Sequence, residues 1–274
     1  MSKVCVITGG GSGMGLAAAR LIAGDGYTVV LVGRTVQKLE KAVEEIRQVG
    51  GKAEPFACDV TDRDNVFALA HFAASLGDVK AVIHAAGLSP HMGDPETIMR
   101  GNALGTINMN DAFYEVMAPG GCMIDTSSMS AYITPQFIMP KRIYPVCRED
   151  SERFMKKMMD RVNLFPKETR TGVAYSMSKH FVIWYAKTDA KRFGEKGCRC
   201  LSVTPGNFET PMGKLEEAEA GTYLKYNAVK RLGNPEEIAA LFQVLIDERL
   251  GYLTGEDILC DGGCIAGGAS AMRH

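Results

Sequence analysis

The sequence predicts an α/β protein whose single domain is built on a doubly wound parallel sheet with helices on both faces. In the first half of the chain, short and almost continuously apolar runs alternate with helical stretches four times over, which is typical of parallel strands covered on both sides. A glycine cluster follows the first of these runs and opens a helix. No linker, repeat or low-complexity block interrupts the 274 residues, so we expect one domain covering residues 1–274.

The first strand, Lys3–Thr8, runs into three consecutive glycines and then into a helix rich in Ala and Leu. Strand, glycine loop and helix in this order can bind phosphate, because glycines let the backbone approach a pyrophosphate and the helix start supplies oriented N–H groups. The glycines are spaced G-x-x-x-G-x-G, and an ordinary glycine-rich turn is the alternative. The residues predicted to bind a dinucleotide here are Thr8, Gly9, Ser12, Gly13, Met14 and Gly15.

The second strand, predicted at 27–32, is followed by Gly33, Arg34 and Thr35. Sites for NAD usually place an acid here for the ribose hydroxyls, whereas an Arg accommodates the 2′-phosphate of NADP. No acid occurs between Tyr27 and Gln37. We therefore predict that Arg34 and Thr35 contact the cofactor, that NADP(H) is preferred and that NAD(H) is possible; a solvated Arg at a helix start is the alternative.

The remaining elements continue the alternation of strands and helices. Ligand sites of open α/β sheets lie at the carboxyl ends of the strands, so the residues that follow the strands are the candidates for binding and catalysis. Thr61 is predicted to cap the third helix. Helices are predicted at 39–49, 61–75, 98–117 and 236–246, and strands at 53–57, 79–84, 121–126, 199–203 and Asp257–Cys260.

Tyr175 and Lys179 stand four residues apart in a predicted helix and so share one face of it. An ammonium beside a phenol favours the phenolate and lowers the pKa of the Tyr, which makes a proton donor and acceptor usable near neutral pH. The alternative is a half-buried Tyr beside a solvated Lys. The pair alone is weak evidence, and it predicts acid–base chemistry only because the other motifs occur in the same chain.

The segment of about 132–171 breaks the alternation and carries four prolines and one predicted helix, Ser151–Val162. Phe154, Met155, Met158, Met159 and Val162 form one apolar stripe on that helix. The segment holds nine bases against five acids in a chain of net charge −1. Two interpretations stay open: the stripe packs on the protein's own surface, or it covers a bulky apolar substrate that carries a carboxylate or phosphate.

Composition excludes several classes of function. The net charge of −1 gives no reason to expect binding to nucleic acid or to an anionic membrane. No apolar run reaches the length of a membrane span, and the early glycines argue against an ordinary signal peptide. The eight Cys show neither C-x-x-C pairs nor zinc spacing, so we expect reduced thiols, no metal and a cytoplasmic protein.

Taken together, these motifs resemble the classical short-chain dehydrogenase/reductase family along essentially the whole chain. The resemblance implies a Rossmann-type fold and an oxidoreductase. It implies that Tyr175 is the catalytic acid/base, that Lys179 also holds the nicotinamide ribose, and that Ser128, with Ser127 as the rival, binds the substrate oxygen. Asn102 would hold a water of a proton relay. The remaining cofactor contacts that it implies are Asp59 and Val60 at the adenine, the turn Ala85, Ala86 and Gly87, and Pro205, Gly206, Phe208 and Thr210 at the nicotinamide amide.

The chain departs from the family in two places. His84 stands where the family usually has Asn, which we expect to alter hydrogen bonding between strands more than the chemistry. Tyr175 follows Ser128 by 47 positions, where about a dozen is usual. Carbonyl reductases of the mammalian type and some hydroxysteroid dehydrogenases carry a similar insertion.

The resemblance implies an NADP(H)-dependent enzyme that interconverts a secondary alcohol and a ketone, with a bulky apolar or amphipathic substrate such as a hydroxysteroid or an aromatic carbonyl compound. A 3-oxoacyl-thioester reductase is an alternative, because residues 231–237 and 254–263 are similar to that group. A non-catalytic dinucleotide sensor is a second alternative. The insertion would cover the Tyr175 helix, so a monomer or homodimer is expected rather than a tetramer.

Overall fold

Seven strands form one parallel sheet in the computed structural model of the chain, which describes residues 2–215 and 221–269. The order across the sheet is β3-β2-β1-β4-β5-β6-β7. The chain winds outward in one direction from β1 to β3 and in the other from β4 to β7, so the order reverses between β1 and β4, where open α/β sheets form their ligand crevice. The strands are β1 Lys3–Thr8, β2 Thr28–Gly33, β3 Lys52–Ala57, β4 Asp78–His84, β5 Met117–Thr126, β6 Arg199–Pro205 and β7 Asp257–Cys260.

Helices cover both faces of the sheet, as the nearly continuous apolar strands predict. Successive side chains of β1 point to opposite faces of the sheet: Cys5 and Ile7 belong to one buried cluster, and Val4 and Val6 belong to the other. The long helices beside the sheet are α1 Gly13–Gly24, α2 Val36–Gln48, α3 Arg63–Leu76, α5 Gly105–Val116, α8 Arg170–Glu195 and α10 Pro235–Leu245, and the short α9 is Pro211–Leu215. The first cluster is closed by α1, α2 and α10, and the second by α3, α5 and the end of α8. The doubly wound fold is confirmed.

The helix predicted at 98–117 is wrong as one element. It consists of α4 (Pro95–Met99), a π-helical turn (Arg100–Leu104) and α5, while Met117 already belongs to β5. The start lies earlier because the Asp94 side chain accepts a hydrogen bond from the N–H of Thr97, a capping contact. The predicted cap of α3 is also one residue off, since Asp62 and not Thr61 accepts from the N–H of Asn65.

The insertion folds onto the body of the protein. Its helix α7, Ser151–Val162, has the predicted bounds. It is preceded by α6 (Ser130–Ile133) and a 3₁₀ turn (Tyr144–Arg148), and a second 3₁₀ turn (Lys167–Thr169) leads into α8.

The apolar stripe of α7 faces inward. Phe154, Met155, Met158 and Val162 are buried in a third cluster together with side chains of α4 and α8. The ring centroids of Phe154 and Phe181 lie 4.6 Å apart. The prediction that this face meets the substrate is therefore wrong, and packing on the protein's own surface is what the structure shows.

Arg148 fastens the insertion to the outer side of α8. Its guanidinium donates to Asp189 Oδ1 at 2.8 Å and to Thr188 Oγ1 at 3.1 Å, and lies 3.9 Å from the centroid of the Tyr185 ring. Asp189 is buried, and Arg192 of the same helix donates to its other oxygen at 2.7 Å. A buried carboxylate held by two guanidinium groups keeps the 3₁₀ turn in place on α8.

No helix within residues 2–215 and 221–269 combines the length and the hydrophobicity that crossing a membrane requires. All eight cysteines are free thiols, and seven of them are buried.

Candidate active site

A glycine-lined groove opens at the carboxyl end of β1. Gly9 and Gly13 adopt φ of +69° and +54°, in the region that side chains disfavour. A Cβ on Gly15 would lie 2.5 Å from the carbonyl oxygen of Gly9, so the loop closes on itself only because glycine stands there. The N-terminus of α1 lies beside this loop and offers its free N–H groups to an anion. The backbone thus leaves a cradle that fits a pyrophosphate.

The groove has a volume of about 450 Å³ and extends from this loop toward the ends of β2 and β3. Such a volume lies within the range of small-molecule and cofactor sites. Most of the predicted cofactor residues line it, and Tyr175, Lys179, Pro205, Gly206 and Phe208 line an adjoining cavity instead. The predicted residues along the groove are Thr8, Gly9, Ser12, Gly13, Met14, Gly15, Arg34, Thr35, Asp59, Val60, Ala85, Ala86, Gly87 and Thr210.

Two bases face the end of the groove where an adenosine would lie. Arg34 and Lys38 are exposed and make no ion pair among the residues that the structure describes. Asp59 is the one acid among the described lining residues, and its Oδ1 already accepts from the N–H and the hydroxyl of Thr61 at 2.9 and 2.8 Å. Sequence reasoning missed Lys38, although its position four residues after Arg34, in the first turn of α2, was a usable signal.

His84 joins the ends of β1 and β4. Thr8 Oγ1 accepts from the N–H of Ala86 at 2.9 Å and forms a second hydrogen bond, of 2.8 Å, with His84 Nδ1. Burial, with the charge of Lys179 as the smaller cause, lowers the pKa of His84 to about 3, and the imidazole is therefore neutral. The contacts of His84 thus hold the Ala85–Gly87 turn that borders the groove, in line with the role expected from the sequence.

Asn102 lies in the π-helical turn and is buried. Its Oδ1 accepts from the N–H of Leu88 at 2.8 Å, and its Nδ2 donates to the carbonyl of Leu88 at 3.0 Å and to Ser178 Oγ at 3.1 Å. A Cβ on Gly87 would lie 3.0 Å from Asn102 Oδ1 and 3.1 Å from Lys179 Nζ, so both side chains converge on this turn. The side chain of Asn102 thus fixes backbone beside Lys179; its proposed water stays a prediction.

Tyr175, Lys179 and Ser128 meet in a second cavity of about 260 Å³. Lys179 is buried, and its Nζ donates to the carbonyl of Thr126, the last residue of β5, at 2.9 Å. Ser127 donates its hydroxyl to the carbonyl of Lys179 at 2.7 Å, which gives it a structural partner. Ser128 lies at the more accessible position of the two, and this favours Ser128 for the substrate oxygen.

The two cavities adjoin, since residues of the Ala85–Gly87 turn, Met14 and Thr210 line both. The far wall of the second cavity follows β6, where Gly206 approaches Asp261 so closely that a Cβ would lie 2.7 Å from its Cα. Predicted residues on this wall are Pro205, Gly206, Phe208 and Thr210. No motif pointed to the other apolar lining residues, which are Leu88, Pro90, Met129, Ile133, Met212 and Tyr223.

A buried carboxyl lies beside this site on the neighbouring strand. Asp125 of β5 pairs in register with His84 of β4, and both its oxygens accept from Nδ2 of Asn110, at 3.0 and 2.9 Å. Burial raises the pKa of Asp125 to about 8. The group therefore carries its proton at neutral pH, and sequence reasoning gave it no role.

The sequence pattern of the short chain dehydrogenase family matches residues 3–139, and a pattern described as enoyl-(acyl carrier protein) reductase matches residues 161–264. The chain is 28% identical over 273 residues to a cyclohexanol dehydrogenase of Acinetobacter sp. (strain SE19), covering 95% of this chain and 94% of that protein. It is 28% identical to a 3-oxoacyl-[acyl-carrier-protein] reductase of Thermotoga maritima, covering 96% and 98%.

Among solved structures, a short-chain dehydrogenase from Burkholderia cenocepacia J2315 in complex with NADP superposes with a TM-score of 0.77 at 20% identity, covering 96% of this chain and 98% of that one. This likeness shows the shared fold. The parallel sheet, the glycine loop and the match over half of the sequence agree: the chain belongs to the short-chain dehydrogenase/reductase family, whose members named here are oxidoreductases.

Proposed function

We propose that this protein is an NADP(H)-dependent oxidoreductase that interconverts a secondary alcohol and a ketone. One observation carries the proposal: Tyr175, Lys179 and Ser128 line a single cavity that adjoins the glycine-lined groove. A cofactor lying along the groove would present its nicotinamide at the junction of the two cavities. Family membership supports oxidoreduction, and the geometry supplies the groups for it.

The bound nicotinamide would supply the hydride chemistry. The chain's own residues do the rest: the Ser128 hydroxyl donates to the substrate oxygen and orients it, and the Tyr175 phenol gives that oxygen a proton or takes one from it. Lys179 is anchored by the carbonyl of Thr126 and holds its positive charge beside the reacting groups. Such positioned proton transfer contributes roughly 10²–10⁴-fold to a rate.

The lining of the second cavity limits the substrate. Lys179 is the one Lys or Arg among its described lining residues, and none of the nine bases of the insertion reaches it. The bases of the insertion do not line this cavity, and they therefore give no support for a carboxylate or phosphate on the substrate. We propose an uncharged ketone or alcohol with an apolar ring, of the kind that aromatic carbonyl compounds and hydroxysteroids present.

Reduction of a 3-oxoacyl thioester is the competing function, supported by the relative from Thermotoga maritima. The residues that suggested it have a structural role in this chain. Glu237 accepts from the N–H of Asn234 at 2.8 Å and is bound by Arg231 at 2.7 Å, which together close the N-terminus of α10. Their pattern therefore supports the fold of this region and does not discriminate between substrates.

We further propose that the protein is a monomer or a homodimer formed away from α8, because the 3₁₀ turn held by Arg148 covers the outer side of that helix. The eight free thiols support a reducing compartment such as the cytoplasm.

The test of the enzyme proposal is the absorbance of reduced nicotinamide with aromatic ketones, cyclic ketones, steroids and acyl thioesters as substrates. Ketone-dependent oxidation of NADPH is expected in the wild type, and loss of at least about 100-fold in Tyr175→Phe with NADPH binding retained. Turnover of thioesters alone would establish the competing function. NADPH binding with no turnover of any class would identify a sensor.

A further inference from the structure

A series of directional hydrogen bonds begins at His180, the residue that follows Lys179 on α8. His180 Nδ1 lies 3.0 Å from the hydroxyl of Tyr144, and its Nε2 lies 2.9 Å from Oε1 of Gln136. The Nε2 of Gln136 in turn donates to the carbonyl of Ala131 at 3.1 Å. Both partners of the imidazole belong to the insertion, whereas Ala131 belongs to α6.

The direction of every bond in this series is determined. A backbone carbonyl only accepts, so Gln136 directs its amide N–H to Ala131 and its oxygen to His180. That oxygen also only accepts, and Nε2 of His180 must therefore carry a proton. The buried Tyr144 hydroxyl then donates to Nδ1.

The imidazole serves this arrangement in its neutral form. Burial, with the charge of Lys141 as the smaller cause, lowers the pKa of His180 to about 4. One tautomer, with the proton on Nε2, is thus selected by two side chains on opposite edges of the ring.

The far end of the series lies at the substrate cavity. Ala131 donates its N–H to the carbonyl of Ser128 at 3.0 Å, so α6 is the turn that immediately follows the catalytic serine. Ile133 ends this turn, and it lines the cavity together with Thr134. Movement of α6 would therefore displace both the Ser128 hydroxyl and one wall of the substrate site.

We propose that His180 is a positioning residue: through Gln136 it fixes the α6 turn, and with it Ser128 and the wall at Ile133, relative to Lys179. The proposal rests on the enzyme function proposed above. It assigns to the insertion a role in holding the substrate site together, rather than in covering it.

Matched substitutions at His180 distinguish the hydrogen bond of Nε2 from that of Nδ1. His180→Gln keeps an N–H donor near the position of Nε2 and should leave the KM for the ketone within about twofold of wild type. His180→Asn reaches only the position of Nδ1, and the KM should rise about fivefold to tenfold, as for the loss of one hydrogen bond. The dissociation constant of NADPH should not change in either variant.

Tyr144→Phe and Gln136→Leu provide an independent test, because the two residues bind opposite nitrogens. Loss of the Tyr144 hydroxyl frees Nδ1 to carry the proton, which weakens the bond from Nε2 to Gln136. The double variant should therefore raise KM no further than Gln136→Leu alone. Trp184→Phe is the control, since Trp184 packs 5.5 Å from the Tyr144 ring outside the hydrogen-bond series and should leave KM unchanged.

Two-bond ¹H–¹⁵N spectra of the imidazoles give a measurement that needs no activity. The wild type should show His180 with the proton on Nε2, and Tyr144→Phe should show a mixture of tautomers. A proton on Nδ1 in the wild type, or multiplicative effects on KM in the double variant, would overturn the proposal. Absence of turnover with every ketone would instead contradict the enzyme function, and the hydrogen-bond series at His180 would then be tested by the spectra alone.

Discussion

Removal of Arg34 and Lys38 should abolish the proposed preference for NADP(H). Both side chains line the end of the groove where a 2′-phosphate would lie, and Asp59, the acid on the same wall, is bound to Thr61. A charge-assisted contact to phosphate contributes about 1.5–3 kcal/mol. Because both bases are exposed, we use about 1.5 kcal/mol for each, which is roughly tenfold per side chain and a hundredfold for the pair.

The assay is kcat/KM and the dissociation constant for NADPH and NADH, with Arg34→Ala, Lys38→Ala and the double variant. Affinity for NADPH should fall about tenfold in each single variant and about a hundredfold in the double, while affinity for NADH stays within about twofold. The preference should also shrink as ionic strength rises, since exposed charges are screened.

Lys41→Ala is the matched control, because Lys41 lies further along the same helix and does not line the groove. Equal use of the two cofactors by the wild type would refute the reasoning, and so would an unchanged preference in the double variant.

Three further outcomes are expected. Gly15→Ala should abolish NADPH binding and lower the melting temperature, because the new Cβ would lie 2.5 Å from the backbone of Gly9. Gly24→Ala is the control and should be neutral or stabilising, because no atom lies within 4 Å of its Cβ position; equal melting temperatures of the two variants would contradict this. The pKa of Asp125 is raised to about 8, against about 4 in the unfolded chain, so the fold loses stability as pH rises between these values. Asp125→Asn should therefore raise the free energy of unfolding at pH 7 by up to about 4 kcal/mol. Urea unfolding that gave the same gain in this free energy at pH 5 and at pH 8 would refute the prediction. Light scattering should give a monomer or dimer, and a tetramer would show that the cover held by Arg148 does not block assembly.

Local sequence determined much of the architecture. The strands were predictable because buried parallel strands are almost continuously apolar, and α7 because its stripe has helical period. The same pattern could not say what the stripe of α7 packs against, since periodicity identifies the apolar face and not its neighbour. Hence one of the two interpretations of the insertion was wrong.

What escaped prediction depends on contacts between distant parts of the chain. Lys38 faces the groove only because α2 turns its first residues toward the glycine loop. His180 and Gln136 meet across 44 positions, and Asp125 is paired with His84 by strand register. The break of the predicted helix near Asn102 accompanies close packing, as a Cβ on Gly101 would lie 2.9 Å from Leu88. Such distances have no signature in local composition.

Helix α8 carries Tyr175 and Lys179 in its first half and buries Ala186, Ala190 and Phe193 of its second half in the cluster beneath the sheet. A helix of 26 residues is about 39 Å long and spans most of the domain. Amide hydrogens along it should therefore exchange with solvent mainly through global unfolding rather than through local opening. Tyr175 and Lys179, the proposed acid–base pair, should therefore lie among slowly exchanging residues, and heat should abolish catalysis and the fold in a single cooperative step.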